Sequence, residues 1–305
     1  MKRTNTNTRA RIRRWCAAAA AALALSSAAV LPVHASDGSM RTAAETRTIT
    51  QHTAVPVYVD GVRCTKDAYI IENGVTFMPL RALAELLLPD ASVYWDSAAS
   101  AAAVRTGTLT LRAVPGECYI TANGRYLALS ALYPAQNTLI CGVTYVPLRT
   151  AVRAMGGSIE WNAARGSVDI TRGSGTIASG DTYYDADALY WLSRIIYAEA
   201  GDQSLRGQLA VGAVVMNRVR SPQFPDTIYG VIFDRKWGVQ FTPVANGAIY
   251  KTPSAQSVLA AKMVLDGCLI SDSALYFLDP TLASSFWIVE NRQALFTIGC
   301  HDFYS

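Results

Sequence analysis

Histidine is scarce in this chain, with three among 305 residues, and charged residues make up only 16% of it. Three histidines are too few for a His-rich zinc or copper centre, which draws several imidazoles to one ion. Cysteine is also sparse: Cys16 lies in the leader, leaving Cys64, Cys118, Cys141, Cys268 and Cys300. An odd set of five in a chain this long does not describe a disulfide framework; spacing alone does not decide between one bridge within each domain, such as Cys268 to Cys300, and free buried thiols, which are at least as well supported. No cofactor is implied. A strongly apolar run long enough to cross a bilayer is missing too. The net charge of +4 looks basic, yet the first 35 residues hold six bases (Lys2, Arg3, Arg9, Arg11, Arg13, Arg14) and no acid. Without them the balance is 21 bases against 23 acids. A near-neutral body gives no electrostatic case for nucleic acid.

What is present starts with that leader. A basic segment ending at Arg14, an Ala-rich apolar run from Trp15 to Leu31 and the small-residue stretch Val33-His34-Ala35 read as an export signal over residues 1–35. The Arg13-Arg14 pair is followed by Trp-Cys-Ala, which is not the twin-arginine pattern. The expected product is secreted, acting outside the cell at the wall, with no stable membrane insertion. Residues 36–53 read as a disordered lead.

Residues 54–172 contain an internal repeat. Gly74-Val-Thr-Phe-Met-Pro-Leu-Arg returns 68 residues later as Gly142-Val-Thr-Tyr-Val-Pro-Leu-Arg. Each copy is followed by a helical pattern and a strand with an aromatic residue, Val93-Tyr94-Trp95-Asp96 and Ile159-Glu160-Trp161-Asn162. Proline suits the first turn of a helix, so each unit predicts strand, helix and returning strand. Asp60-Gly61 predicts a tight hairpin turn. The expectation is an α+β domain, an antiparallel sheet with two helices on one face. Its doubled Pro-Leu-Arg signature resembles the N-terminal domain of copper amine oxidases. The segment has no histidine, so the name implies no copper chemistry, and the domain reads as a stalk or wall-attachment module. Residues 173–184, small, polar and Gly-rich, predict a flexible linker.

The domain expected at 185–305 carries the chemistry. Asp187 to Ala200 predicts a helix capped by Asp185 or Asp187, with Gly201 past its end. Leu189, Leu192, Ile195 and Ile196 form its apolar stripe, and Glu199 falls on the same side. Desolvation and the negative end of the helix dipole both favour a protonated carboxyl there, as a general acid requires. Asp202 is the expected cap of the next helix, 203–220, whose Gly207, Ala210, Gly212 and Ala213 suit close packing. Trp237, Gln240, Phe241, Asn217 and Tyr276 are candidate sugar-binding residues, since pyranose faces pack on rings and amides hold N-acetyl groups. Trp287 belongs with them. A lone His301 reads as structural.

Tyr-Ala-Glu-Ala at 197–200, Gly-Gln-Leu-Ala-Val-Gly-Ala-Val-Val-Met-Asn-Arg-Val at 207–219, Phe-Pro at 224–225, Gln-Phe-Thr-Pro-Val at 240–244 and Gly-Cys-His-Asp-Phe-Tyr at 299–304 resemble the cell-wall hydrolase domain of the spore cortex-lytic enzymes. The resemblance implies a lysozyme-like, mostly helical α+β domain that cleaves peptidoglycan glycan strands between N-acetylmuramic acid and N-acetylglucosamine. It also implies a lytic transglycosylase with Glu199 as its one catalytic acid and base, in wall remodelling or cortex lysis. The family's usual peptidoglycan-binding repeat is replaced here by the stalk-like domain. The alternatives are a two-carboxylate hydrolase drawing on Asp202, Asp226 or Asp234, a Cys peptidase built on Cys268 and His301, and a non-catalytic wall-binding protein. Oligomeric state has no signature in the sequence.

Overall fold

The computed structural model describes residues 53–72, 74–129, 136–236, 238–283 and 285–305. The expectations for the leader and the lead at 36–52, and for Trp237, lie outside the described residues. No helix among those residues is long and apolar enough to cross a membrane.

The repeat sets the N-terminal lobe. Strands Val75–Pro79 and Val143–Pro147, the same segment in each copy, pair antiparallel with Met78 opposite Val146. These two are repeat equivalents, so the copies meet about a local pseudo-two-fold axis, and both side chains are fully buried there. Proline ends each strand and begins each helix, α1 (Leu80–Leu87) and α2 (Leu148–Ala154). It lacks the N–H that either ladder would need at that point, and its fixed φ already suits the helix start. Leu80, Leu83, Leu148 and Val152 turn inward from the helices into one core. The expected turn at Asp60-Gly61 forms with φ of 50° and 80°, the left-handed pair a two-residue hairpin demands.

The expectation of a single antiparallel sheet is corrected. Three sheets surround the two helices. One runs Thr53–Val55, Ala68–Glu72, Val75–Pro79, Val143–Pro147, Thr138–Ile140. A second is a five-stranded meander from Ser92–Asp96 to Arg125–Ala128, filling the interval between the copies. The third contains a parallel pair, Val57–Val59 with Ser167–Thr171, which ties the lobe's first and last segments together. Such a long-range pairing leaves no mark in local periodicity.

The C-terminal lobe is helical: α3 (Gly180–Tyr183), α4 (Ala186–Ala200), α5 (Leu205–Arg220), α6 (Ile228–Phe233), α7 (Thr242–Asn246), α8 (Ala255–Leu265) and α9 (Trp287–Asn291). A sheet of Tyr276–Leu278, His301–Tyr304 and Ala294–Ile298 closes it. Asp185 caps α4, accepting from the Ala188 amide at 2.8 Å. The cap expected at Asp202 falls instead to Ser204, whose hydroxyl accepts from Gly207 N; Asp202 is exposed and takes the Gln203 amide. Helices α4, α5 and α8 close on Gly212, where a Cβ would come within 2.9 Å of both Ile196 and Val264. Even alanine would require the Ile196 and Val264 side chains to shift.

The expected flexible linker is a hydrogen-bonded strap. Gly180 N donates to Asn123 O at 2.7 Å, the Asn123 amide donates to Thr176 and Ile177, and Thr176 donates to Thr108 O. Tyr184, at its end, donates to Asp266 at 2.6 Å and accepts from the Tyr126 amide at 3.0 Å. Asp266, at the end of α8, is also paired with Arg125 of the N-terminal lobe, and both are buried. The Arg125 guanidinium in turn lies 3.4 Å from the centre of the Tyr183 ring. Composition pointed to a loop, but non-local partners decide whether a loop is free.

This join predicts a non-additive pair of substitutions. Arg125→Met leaves the Asp266 carboxylate buried without its cation and is expected to cost about 3–5 kcal/mol. Arg125→Met with Asp266→Leu removes both charges, and denaturant unfolding should show the double variant more stable than Arg125→Met alone.

Candidate active site

Glu199 lies one residue before the end of α4, where the last carbonyls of a helix lack intrahelical partners. The chain then turns at Gly201 with φ −62°, so left-handed backbone is not what requires glycine here. Space is: a Cβ would stand 2.5 Å from Tyr197 O and 2.8 Å from its ring. The apolar stripe Leu192, Ile195 and Ile196 is fully buried and carries Glu199 partway into the interior. Among the described residues its carboxyl makes no hydrogen bond to the protein, yet it is half-buried rather than sealed. It is free to meet a ligand.

Burial pushes the Glu199 carboxyl up to about 7, and the nearby Arg218 guanidinium acts in the opposite direction. Arg218 is the residue that sequence reasoning passed over. It stands in the last turn of α5, where a base is ordinarily read as a solvated complement to the helix dipole. The signal was its place on the buried stripe Gly207, Val211, Val214, Arg218, at spacings of four, three and four. Its Nε donates to Leu275 O at 2.7 Å, while its Nη1 is buried with no partner. The rings of Phe224, Phe241 and Tyr276 lie 4.9, 5.1 and 5.3 Å from the guanidinium. Desolvation lowers Arg218 to about 10, against the charges of Tyr276, Asp234 and Glu199, so it remains a cation at neutral pH.

The expected sugar-binding residues divide. Tyr276 stands at the site, its hydroxyl accepting from Arg292 at 3.0 Å and its ring 6.4 Å from that of half-exposed Trp287. Phe241 is buried and forms one wall of the Arg218 pocket, so it packs the core side. Asn217 is buried, with its amide donating to Ser271 O and Ala274 O. It holds the turn that presents Leu275 and Tyr276 to Arg218. Gln240 is partly exposed and folds its amide onto Gly238 O at 3.2 Å.

Of the other acids, Asp226 is exposed, whereas Asp234 accepts from the Lys236 amide and adds its charge to the field at Arg218. Cys268 is buried and pushed up to about 12, first by burial and then by Cys118, so it carries no thiolate at neutral pH. His301 is buried against Phe277, ring centroids 5.2 Å apart, and burial lowers its pKa. Of the two states left open for the cysteines, the structure has the free thiols: all five described cysteines are unbridged. No cluster of three or more His, Cys, Asp or Glu side chains suited to a metal occurs among the described residues.

A fold of this kind, with one desolvated carboxyl beside a buried arginine, meets its match in sequence. Residues 202–304 match the cell wall hydrolase family, and residues 58–170 match the copper amine oxidase N-terminal domain. The chain therefore holds a segment similar to the cell wall hydrolase family, preceded by one similar to the copper amine oxidase N-terminal domain. Similar curated proteins include the spore cortex-lytic enzymes of Halalkalibacterium halodurans and Bacillus subtilis. The first is 38% identical over 120 residues, 39% of this chain and 35% of that protein; the second is 38% identical over 112, 37% and 35%. This chain thus spans about a third of the length of these two relatives. Among solved structures, the catalytic domain of the germination-specific lytic transglycosylase SleB from Bacillus anthracis is 33% identical. The alignment covers 42% of this chain and all of that one, with a TM-score of 0.37. The catalytic domain of Bacillus cereus SleB is 35% identical over 40% of this chain and 92% of that one, with a TM-score of 0.36.

The raised acid has a consequence for stability. Between about 4.5, the ordinary value, and about 7, the folded chain keeps a proton on Glu199 that the unfolded chain has released. Folding stability therefore falls as pH rises through that window. Glu199→Gln should remove this dependence, leaving stability unchanged below the window and raising it by about 1–3 kcal/mol above it. Denaturant midpoints of both chains at pH 4 and pH 8 measure the difference.

Proposed function

We propose that this chain is a peptidoglycan-degrading enzyme that cleaves the glycan strand between N-acetylmuramic acid and N-acetylglucosamine, as a lytic transglycosylase. The observation that carries the reading is Glu199: a carboxyl pushed up to about 7 by burial, without a hydrogen-bond partner among the described residues, near a buried cation. One group that must give a proton and then take one back works best with a pKa close to the working pH.

The protonated Glu199 donates to the glycosidic oxygen as the bond from that oxygen to the muramic acid C1 breaks. Positive charge develops at C1, and the carboxylate left behind is stabilised by Arg218. The sugar's own 6-hydroxyl oxygen then bonds to C1 while Glu199 accepts its proton, giving a 1,6-anhydro end and regenerating the acid. No water is consumed. Tyr276 and Trp287 offer ring faces for the strand, and Gln240 an amide for an N-acetyl group. The family likeness supports a lysozyme-like frame for residues 185–305, with residues 54–172 as a stalk. It also supports a secreted chain acting at the wall or the spore cortex.

A second reading rests on Asp234, which shares the field of Arg218 with Glu199. A two-carboxylate hydrolase needs a partner acid on the far side of the bond, and Asp234 is partly buried where Asp202 and Asp226 are exposed.

Digestion of purified walls separates the readings. Glu199→Gln should lower the rate by ~10²–10⁴ or more, because the amide neither donates nor accepts the proton. Mass spectrometry should find products lighter by one water than hydrolytic ones. Asp234→Asn should retain most of the rate, and Cys268→Ala all of it. Reducing ends together with an inactive Asp234→Asn would establish the hydrolase instead; full activity in Glu199→Gln would remove Glu199 from the chemistry.

A further inference from the structure

The N-terminal lobe holds a groove that the cleavage chemistry does not use. It has a volume of about 390 Å³ and lies between the start of α1, the strand Ser92–Asp96 and the hairpin residues 142–145. That size is within the ~300–1,000 Å³ range of small-molecule sites. The repeat builds it from both copies: Arg81 and Trp95 belong to the first, while Val143 and Tyr145 of the second form the opposite side.

Its chemistry is one-sided. Among the described residues lining it, the charged ones are Lys66 and Arg81, both cations. The two acids nearest in sequence face elsewhere: Asp67 pairs with Arg63, and Asp96 with Arg112 at 3.1 Å. Arg81 is anchored by one hydrogen bond, Nη2 to Val93 O at 2.9 Å, and its remaining N–H groups have no partner among the described residues. Lys66 has no hydrogen bond or ion pair among the described residues. Trp95 is 49% exposed, on the same face of its strand as Val93, and its indole N–H has no partner among the described residues. The groove thus offers an open aromatic face beside two exposed cations.

We infer that this groove binds a stretch of wall glycan from which the stem peptide has been removed: Trp95 stacks on the pyranose face while Lys66 and Arg81 take the lactyl carboxylate that peptide removal frees on an N-acetylmuramic acid residue. The ring face and apolar floor favour a sugar over a bare phosphate polymer, which would use the cations and leave Trp95 idle. The choice of sugar rests on the glycan-strand reading above. Binding here holds the strand at the N-terminal lobe, independently of Glu199.

The test uses the whole chain carrying Glu199→Gln, titrated calorimetrically with a muramic-acid-containing tetrasaccharide whose lactyl carboxylates are free. Occupancy at the cleavage site is common to all variants, so differences read the groove. Trp95→Ala and Lys66→Glu, both at exposed positions, should each remove a binding event or weaken it by ~tenfold or more. Methyl esterification of the sugar should abolish the effect of Lys66→Glu. Trp161→Ala, at the matching repeat position outside the groove and 54% exposed, should bind normally. Unchanged binding in both groove variants would overturn the proposal, as would equal losses in Trp161→Ala. If poly(glycerol phosphate) binds with dependence on Lys66 and the tetrasaccharide does not, the assigned occupant is wrong. Failure of the cleavage reading would look different: intact walls with the chain bearing wild-type Glu199, and groove binding undisturbed.

Discussion

Glu199 and Arg218 sit on neighbouring helices, and the distance between those helices is set where Gly212 of α5 meets Ile196 of α4 and Val264 of α8. Everything distinctive about the site follows from that approach. Helices this close partly bury the end of α4, which disfavours an ionised Glu199. They also bring a guanidinium near enough to limit the disfavour. Burial is the larger effect and raises the carboxyl to about 7, while Arg218 works against it. Without burial the carboxyl would be ionised at neutral pH and could not serve as an acid. Packing rather than hydrogen bonding holds the site.

Arg218 bears the cost of the arrangement. A buried cation with one N–H bonded to Leu275 O and Nη1 unpartnered is unfavourable unless its surroundings compensate. The rings of Phe224, Phe241 and Tyr276 do so in part by facing it. Asn217, one position earlier, fixes the turn that supplies both the Leu275 carbonyl and Tyr276. Several residues expected to touch sugar are thus employed one layer back, placing the cation.

The legible parts of the chain were those written locally. The apolar stripe of α4, its Asp185 cap, the position of Glu199 and the Asp60-Gly61 turn all follow from spacings of a few residues. The 68-residue repeat was visible as well, and with it the two helices. What stayed hidden depends on contacts between distant segments. Strand Val57–Val59 lies parallel to Ser167–Thr171, and nothing near either one announces the other. Ser204 rather than Asp202 caps α5, a shift of two residues that turns on backbone geometry after Gly201. Arg218 escaped notice because a base near a helix C-terminus has a ready surface explanation. Only the continuity of its stripe argued otherwise.

The strap at 173–184 shows how composition misleads about freedom. Its small polar residues would be soluble and unstructured if nothing received them, but Asn123 and Thr108 accept or donate at each turn. Tyr184 then delivers the chain to Asp266, which also meets Arg125 from the other lobe. A buried ion pair contributes little net stability compared with an apolar contact of the same volume, because both charges lose their water. It is directional, however: only one arrangement of the lobes satisfies Asp266 with Arg125 and Tyr184 together. Since Asp266 ends α8, and α8 packs on α4 and α5, the same helix that fixes the lobes also closes the apolar cluster around the stripe of Glu199. The orientation of the N-terminal lobe and the desolvation of the carboxyl are therefore consequences of one helix placement.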